Sequence, residues 1–235
     1  MSQEQYSSSC KGKGKLEGIT FQTPIPECRC NEVLDHMRKS FYVNEPLLTA
    51  LDVIKVGEPQ PEMDAYVVET VKEGCSVAAL DSKTDKIVGV ALNGVMRSSD
   101  PDLKEKLDKM NSKVKLIFEM INNSNKHLDL FCRYGVDEIF EIRLISVDST
   151  YSGKGIAREL VLRSDNLGRK LGFKLGKADC TGFFSQKAFI KNGYEKIHEI
   201  KYACYKDKQG NVIFKTKPPH ESMAVLVKHY DGGDC

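Results

Sequence analysis

The sequence predicts an α/β protein in which helices flank a mixed central sheet. Two features of the 235 residues carry this prediction. Segments with the alternating pattern of strands and segments with helical spacing follow each other along most of the chain. Near the middle, the predicted strand Glu138–Val147 runs through a glycine-rich loop into the predicted helix Ser152–Leu171. Strands and helices in such an order bury their apolar faces against each other as layers.

In the first half of the chain, the sequence predicts a tail, a first strand, two helices and then two further strands. Residues 1–18 are predicted to be a disordered tail, and residues 19–235 to form one domain, since domains commonly run about 100–200 residues. Prolines limit the first strand, and apolar residues at helical spacing predict the first helix, which Pro46 ends or restarts. The predicted elements are a strand at Phe21–Pro24, helices at Glu27–Tyr42 and Pro61–Gly74, and strands at Ser76–Leu80 and Ile87–Met96.

The second half begins with a charged region, Arg97–Leu130, which is predicted to be helical because its apolar residues form a stripe. The stripe consists of Leu116, Ile117, Met120 and Ile121. After the central strand–loop–helix unit, the pattern predicts a strand at Phe173–Asp179, a helix at Phe184–Asn192 stopped by Gly193, strands at Ile197–Tyr205 and Val212–Lys215 around a hairpin turn, and a last strand at Met223–Lys228.

Charge and hydropathy exclude several classes of protein. The net charge is +2, from 35 basic and 33 acidic residues, whereas a protein that coats nucleic acid carries a larger basic excess. No apolar run approaches the roughly 18 residues that a membrane helix needs. The N-terminal residues lack the apolar stretch of a secretory signal. We therefore expect a cytoplasmic protein with no nucleic-acid or membrane partner.

The eight cysteines are expected to be free thiols, because a chain without a secretory signal stays in a reducing compartment. Their even number would otherwise allow four disulfides. Cys28 and Cys30, with His36 nearby, are the only cluster, and their spacing fits no common zinc pattern. We expect no metal site.

The most informative segment is the glycine loop after the central strand, Ser152-Gly153-Lys154-Gly155-Ile156-Ala157. Small residues at the start of a helix let main-chain N–H groups approach an anion such as pyrophosphate. The alternative is an ordinary tight turn between a strand and a helix. The loop lacks the GxGxxG pattern of nicotinamide binding and the GxxxxGK[ST] pattern of a P-loop.

Several segments together resemble the GCN5-related N-acetyltransferases. The glycine loop and the later segment Ser185–Tyr194 match that superfamily. Four more segments are similar to the insect arylalkylamine N-acetyltransferases, which acetylate dopamine, serotonin, octopamine and related amines: Ser40–Leu47, with its Asn-Glu-Pro-Leu, Val90–Arg97, Ile145–Asp148 and Pro218–His220. The resemblance implies a mixed, mostly antiparallel central sheet flanked by helices, acetyl-CoA as co-substrate, and a monomer that binds a small amine.

The resemblance also implies the residues that bind acetyl-CoA. The cofactor would lie along Ile145, Ser146 and Val147, with the N–H of Val147 facing the thioester carbonyl. Its pyrophosphate would lie on the glycine loop, that is on Ser152, Gly153, Lys154, Gly155, Ile156 and Ala157.

On the amine side, the resemblance implies Glu45 as the base that takes the ammonium proton, and the alternative is a helix cap beside Pro46. Thr181 would position the amine or a water, and Ser185 would hold or protonate the leaving sulfur; both are equally well explained as helix caps. His220 would line the amine pocket, or be an ordinary histidine. We expect direct transfer with no acetyl-enzyme, although Cys180 lies nearby in the sequence.

Three positions depart from the family pattern. Ser152 stands where the superfamily usually has Arg or Gln, Phe189 where it often has a tyrosine acid, and Thr181 where the insect group has serine. The leading hypothesis is an arylalkylamine N-acetyltransferase. The departures leave two alternatives: an acetyltransferase for polyamines or other non-aromatic amines, and a catalytically weak paralogue that binds CoA or amines.

Overall fold

Seven strands form one sheet in the computed structural model, which describes residues 16–54, 58–101 and 104–230. The spatial order is β1-β2-β3-β4-β5-β7-β6, and every neighbouring pair is antiparallel except β4 and β5, which are parallel. The strands are β1 Ile19–Gln22, β2 Val77–Asp81, β3 Ile87–Arg97, β4 Glu138–Val147, β5 Leu175–Cys180, β6 Glu195–Lys201 and β7 Ser222–His229. The predicted mixed, mostly antiparallel sheet is confirmed. Residues 1–15 of the predicted tail lie outside the described residues.

Helices cover both faces of the sheet. They are α1 Cys30–His36, α2 Pro46–Ala50, α3 Pro61–Lys72, α4 Lys104–Asp108, α5 Ser112–Leu128, α6 Leu130–Tyr134, α7 Ile156–Lys170 and α8 Phe183–Lys191. The apolar faces of α1, α2, α3 and α5 pack in one core cluster, and those of α7 and α8 pack in another. Strand β2 shows why two clusters form: Ala78 and Leu80 enter the first, whereas Val77 and Ala79 enter the second.

The first predicted helix, Glu27–Tyr42, is divided into three parts. A 3₁₀ turn at Glu27–Arg29 precedes α1, and a π-helical turn at Met37–Phe41 follows it. In the π turn the N–H of Tyr42 donates to the carbonyl of Met37 at 2.9 Å. Such wide turns are often found at functional sites. Pro46 then restarts the chain as α2, at the helical position where its missing N–H costs nothing.

Two other predicted helical regions were wrong in extent. The region Arg97–Leu130 is not one helix but contains α4, α5 and the start of α6, and Asp129 breaks it with a φ of 41°. The helix predicted from Ser152 begins only at Ile156, because Gly153 and Gly155 adopt positive φ, outside the right-handed helical region.

The predicted strand Val212–Lys215 was also wrong. Its turn forms, with the N–H of Asp207 donating to the carbonyl of Asn211, but Lys206 and Val212 make only an isolated bridge. The hairpin partner of β6 is β7, which also pairs with β5. Strand β7 lies between β5 and β6, so it satisfies more backbone N–H and C=O groups than the short segment Val212–Lys215 could.

One buried hydrogen bond connects α1 with β4. The Nε2 atom of His36 lies 3.0 Å from the Oγ atom of Ser146, and both side chains are buried. Burial lowers the pKa of His36 to about 4 from its usual 6.5, although Asp148 opposes this. The imidazole is therefore neutral at neutral pH.

Acidification should weaken this attachment. Because the native state binds the His36 proton less tightly than the unfolded chain, its contribution to stability is full above pH 6.5 and is lost as the pH falls to about 4. We predict that His36→Gln, which can donate to Ser146 but does not titrate, reduces the loss of unfolding free energy between pH 7 and pH 4.5 by up to about 3 kcal/mol. Urea unfolding at both pH values measures it. An equal loss in both proteins would contradict the prediction.

Candidate active site

Strands β4 and β5 separate after their first contacts. They pair at Phe140↔Gly176 and Glu141↔Lys177, and beyond these positions a cavity lies between them. A β-bulge in β4 accompanies the separation. The register with β3 passes from Asn93↔Ile142 to Leu92↔Leu144, so that Arg143 has no partner residue on β3. A bulge bends its strand and increases the local twist, and it is frequently found beside active sites.

The main chain of β4 past the bulge presents polar groups to this gap. The N–H of Asp148 donates to the carbonyl of Val88 on β3 at 2.9 Å. Successive residues of an antiparallel strand direct their N–H and C=O groups to opposite edges. The N–H groups of Ile145 and Val147 therefore point away from β3 and toward the gap. Both residues and Ser146 line the cavity, but the Ser146 hydroxyl is paired with His36.

The cavity has a volume of about 990 Å³ and extends from the glycine loop to the side chains of the π turn, α2, α3 and α5. Many of its walls are apolar: Phe41, Leu48, Met63, Met110, Ile117 and Ile121. Polar side chains, among them Glu45 and Thr181, occupy some positions of this wall. The shape and lining are those of a small-molecule site, in which a few polar groups orient a mostly apolar ligand.

The glycine loop forms one end of the cavity, where Ser152 and Ala157 line it. Gly155 is the residue before α7 with a φ of 84°, and no side chain caps this helix end. A Cβ atom at Gly153 or Gly155 would meet nothing within 4 Å, so the main chain there is open to a ligand. Ile156 instead packs its side chain in the core.

Glu45 lies buried at the cavity wall, with 7% of its surface exposed. Its Oε2 atom accepts a hydrogen bond from the N–H of Leu48 at 2.6 Å, which caps α2. Its Oε1 atom accepts one from the Thr181 hydroxyl at 2.8 Å. Burial raises the pKa of the carboxyl above its usual value, although these hydrogen bonds oppose it. The cap and the candidate base are thus one side chain, with one oxygen for each contact.

Neither predicted hydroxyl caps α8. Thr181 donates to Glu45, and the Ser185 hydroxyl donates to the carbonyl of Gly182 at 2.8 Å. The cap is His220, whose Nδ1 atom accepts a hydrogen bond from the N–H of Phe183 at 3.2 Å. Thr181, Ser185 and His220 all line the cavity. The structure therefore brings together Glu45 and these three residues from α2, α8 and the loops beside them.

Phe189 lies buried with its ring 4.9 Å from that of Tyr194, so it supplies apolar packing beside the cavity. The nearest tyrosine connected to the candidate base is Tyr202, whose hydroxyl donates to the carbonyl of Thr181 at 2.6 Å. This hydrogen bond holds the main chain of Thr181 in place.

Sequence reasoning missed a row of alternating charges across β5 and β4. The ammonium of Lys177, which is fully buried, donates to Glu141 at 2.5 Å and to Asp179 at 2.7 Å. Arg143 contacts Glu141 at 3.3 Å and also pairs with Glu73. The available signal was the presence of charged residues at alternate positions of otherwise apolar strands.

Burial and mutual attraction act against each other on these charged groups. Burial by itself would lower the pKa of Lys177, but Asp179 and Glu141 outweigh it and raise that pKa. Burial likewise opposes the charge of Glu141, yet Lys177 and Arg143 hold its pKa below the usual value. For Asp179 burial dominates and raises the pKa, despite Lys177.

The fold has close counterparts among solved structures. Arylalkylamine N-acetyltransferase 2 from Aedes aegypti is 35% identical, with a TM-score of 0.87 over 91% of this chain and 99% of that protein. The mosquito arylalkylamine N-acetyltransferase like 5b is 24% identical, with a TM-score of 0.80 over 90% and 100%. The Drosophila melanogaster polyamine N-acetyltransferase is 23% identical, with a TM-score of 0.78 over the same shares. The last two support the fold alone. No protein-family model matches the chain.

Two general features of the described residues complete the picture. None of their helices has both the length and the apolar character needed to cross a membrane. Among the same residues, no three histidine, cysteine, aspartate or glutamate side chains are placed to hold a metal ion together.

The buried charges should be sensitive to the loss of one partner. We predict that Lys177→Met lowers the unfolding free energy by about 3–5 kcal/mol, because it leaves the buried carboxylate of Asp179 without its cation and Glu141 with Arg143 alone. The control is Lys196→Met, which removes the half-exposed pair with Glu199 and should cost about 0–1 kcal/mol. Urea unfolding of both variants measures the difference. Similar small losses would show that water or rearrangement compensates the buried carboxylates.

Proposed function

The chain belongs to the GCN5-related N-acetyltransferases, in the group that contains the insect arylalkylamine N-acetyltransferases, and we propose on this premise that it transfers an acetyl group from acetyl-CoA to the primary amine of an arylalkylamine of the dopamine, serotonin and octopamine class. The observation that carries the proposal is the buried contact between Glu45 and Thr181 at the wall of the cavity between β4 and β5. An amine in the cavity would meet the Glu45 carboxylate beside the gap, which supports the proposal.

The gap and the glycine loop fit the two parts of acetyl-CoA. The N–H groups of Ile145 and Val147 point into the gap and can pair with an extended amide chain, as an added strand would. At the end of the gap, the first turn of α7 offers N–H groups without intrahelical partners, and the helix dipole favours an anion there. Ser152, Gly153, Lys154 and Gly155 would surround the pyrophosphate.

Acetyl-CoA supplies a thioester carbon that an amine can attack, with formation of a C–N bond and loss of the CoA thiolate. An alkylamine is mostly protonated at neutral pH, since its pKa lies near about 10. Glu45 would take that proton, directly or through a water, and Thr181 would hold the receiving Oε1 atom. The N–H of Val147 would stabilise the charge that develops on the carbonyl oxygen. Ser185 would turn its hydroxyl from Gly182 to the leaving sulfur.

Direct transfer is supported by the state of Cys180, the cysteine that lines the cavity. Burial raises the pKa of its thiol, so it stays protonated, whereas an attacking cysteine must be a thiolate. His220 is the N-terminal cap of α8 and would contribute to the wall of the amine pocket through its contact with Phe184.

The second candidate is a polyamine as acceptor. It is favoured by the carboxylates that line the cavity, among them Glu73, Glu141 and Asp179. A CoA-release assay with a panel of arylalkylamines and aliphatic diamines decides between the two. We expect the highest kcat/KM with an arylalkylamine. A preference for diamines would replace the substrate class, and no release with any amine would refute the transferase.

The glycine loop should tolerate no large anionic side chain if it binds pyrophosphate. We predict that Gly155→Glu weakens acetyl-CoA binding at least about tenfold, because bulk and negative charge enter the anion site. The control is Gly172→Glu, at the far end of α7, where φ is also positive and space is open. Both variants should lose stability through the same backbone strain. Calorimetry that finds equal affinity in a folded Gly155→Glu protein would reject the site.

The pH dependence should report on Glu45. Because the base acts as a carboxylate and its pKa is raised by burial, the acidic limb of kcat/KM should lie above pH 4.5. Glu45→Gln should lower kcat/KM by about 10²–10⁴-fold and leave acetyl-CoA affinity unchanged. Thr181→Val removes a hydrogen bond that favours the charged carboxylate, so the limb should move to higher pH.

Ser185→Ala is the matched control, because the Ser185 hydroxyl contacts Gly182 and not Glu45. It should lower kcat for all amines alike and leave the acidic limb in place. If the limb fails to move in Thr181→Val, or moves to lower pH, the contact between Thr181 and Glu45 does not control the base.

A further inference from the structure

The main chain at Thr181 pairs with no described strand on either side. Thr181 follows Cys180, the last residue of β5, and precedes Gly182, the residue before α8. The register of β5 with β7 ends at Cys180↔Ala224, and β4 has already separated from β5 at this point. The main-chain groups between two such elements need partners of another kind. The position of the Thr181 hydroxyl therefore depends on what holds this segment.

Tyr202 holds it from the far side of the sheet edge. Its hydroxyl donates to the carbonyl of Thr181 at 2.6 Å, and no other N–H or O–H of a described residue donates to that carbonyl. Tyr202 begins the 3₁₀ turn Tyr202–Cys204 after β6, where its own N–H donates to the carbonyl of Glu221 at 3.0 Å. The ring is 2% exposed and packs edge-on against Phe214, with 6.0 Å between the two centroids. The hydroxyl thus reaches Thr181 from a side chain that is itself fixed.

Thr181 connects this contact to the candidate base. Its side-chain hydroxyl donates to Oε1 of Glu45 at 2.8 Å, so two hydrogen bonds in a row join the end of β6 to the start of α2. Thr181 and Glu45 line the cavity, whereas Tyr202 does not. Burial, and after it the charge of Glu45, raise the pKa of the Tyr202 hydroxyl, so it stays a protonated donor. Tyr202 can therefore reach the reaction only through Thr181.

One other contact holds the segment, but at the residue before Thr181. The side-chain amide of Gln186 donates to the carbonyl of Cys180 at 3.3 Å. The orientation of the peptide group that follows Thr181 is left to Tyr202. Without this donor the carbonyl would turn toward another partner, since an acceptor left unmet costs more than the hydrogen bond contributes. The rotation would carry the Thr181 hydroxyl away from Glu45.

We propose that Tyr202 is a positioning residue, which holds Thr181 so that its hydroxyl orients the Glu45 carboxylate for the incoming amine. The inference rests on the proposed function, and it adds a residue outside the cavity on which the base depends. The hydrogen bond from Thr181 favours the charged carboxylate and so opposes the rise of its pKa. Loss of the Tyr202 hydroxyl should therefore act on the base as loss of the Thr181 hydroxyl does.

The test compares Tyr202→Phe, Thr181→Val and the double variant in the CoA-release assay. Phenylalanine keeps the buried ring and removes the hydroxyl alone. We expect Tyr202→Phe to lower kcat/KM at neutral pH about tenfold, the size of one lost hydrogen bond. The acidic limb of kcat/KM should move to higher pH, and acetyl-CoA affinity should stay unchanged. Because Tyr202 acts through Thr181, the double variant should move the limb no further than Thr181→Val does.

Tyr230→Phe is the matched control. Tyr230 is also a buried tyrosine, its hydroxyl donates to Asp165 at 3.0 Å, and neither residue lines the cavity. Both tyrosine variants should lower the melting temperature, but Tyr230→Phe should leave kcat/KM and the acidic limb as they are. A limb that stays in place in Tyr202→Phe, or shifts that add in the double variant, would overturn the proposal.

If no amine releases CoA, the proposed function fails, and the pKa of Glu45 is then measured directly. NMR of protein with ¹³C-labelled glutamate carboxyls follows the titration, and the signal of Glu45 is the one that Glu45→Gln lacks. A Glu45 pKa that rises in Tyr202→Phe and Thr181→Val but not in Tyr230→Phe would support the positioning role. Equal values in the unmodified protein and Tyr202→Phe would overturn it.

Discussion

The separation of β4 from β5 is the constraint on which the rest of this site depends. A parallel pair inside a sheet normally continues its hydrogen bonds along the whole overlap, but here the pairing covers Phe140 and Glu141 of β4 and then stops. The extra residue at Arg143 reorients the strand at this point. The N–H groups of Ile145 and Val147 therefore face a cavity. Strand β4 offers a free edge there although it lies in the middle of the sheet.

Charges hold the two strands together at the point where they part. Lys177 bridges Glu141 on β4 and Asp179 on β5, and it is fully buried. A buried ion pair contributes little net stability compared with apolar packing, yet it penalises any arrangement in which the partners separate. The charges therefore specify one geometry for the start of the gap.

Glu45 caps α2 and is also the base in the proposed reaction. Its carboxylate caps α2, where the helix dipole favours a negative charge, and burial opposes that charge. The balance leaves the pKa of Glu45 raised, which suits its role as the base in the proposed reaction. Pro46 places the start of α2 directly after Glu45, and the π turn at Met37–Phe41 brings the chain to that point. The Thr181 hydroxyl donates to the second oxygen of Glu45.

Local patterns in the sequence determined much of this protein. Apolar periodicity located most strands and helices, but the predicted helix start at Ser152 missed the positive φ angles of Gly153 and Gly155 before α7. Glu45 before Pro46 indicated a cap. Only the tertiary structure decided that Glu45 meets Thr181, 136 residues away, and that His36 meets Ser146. It also decided that β7, and not Val212–Lys215, pairs with β6, and that the charges of β4 and β5 face each other. The reason is physical: periodicity and capping act within a few residues, whereas these contacts depend on strand register and on which helix covers which face.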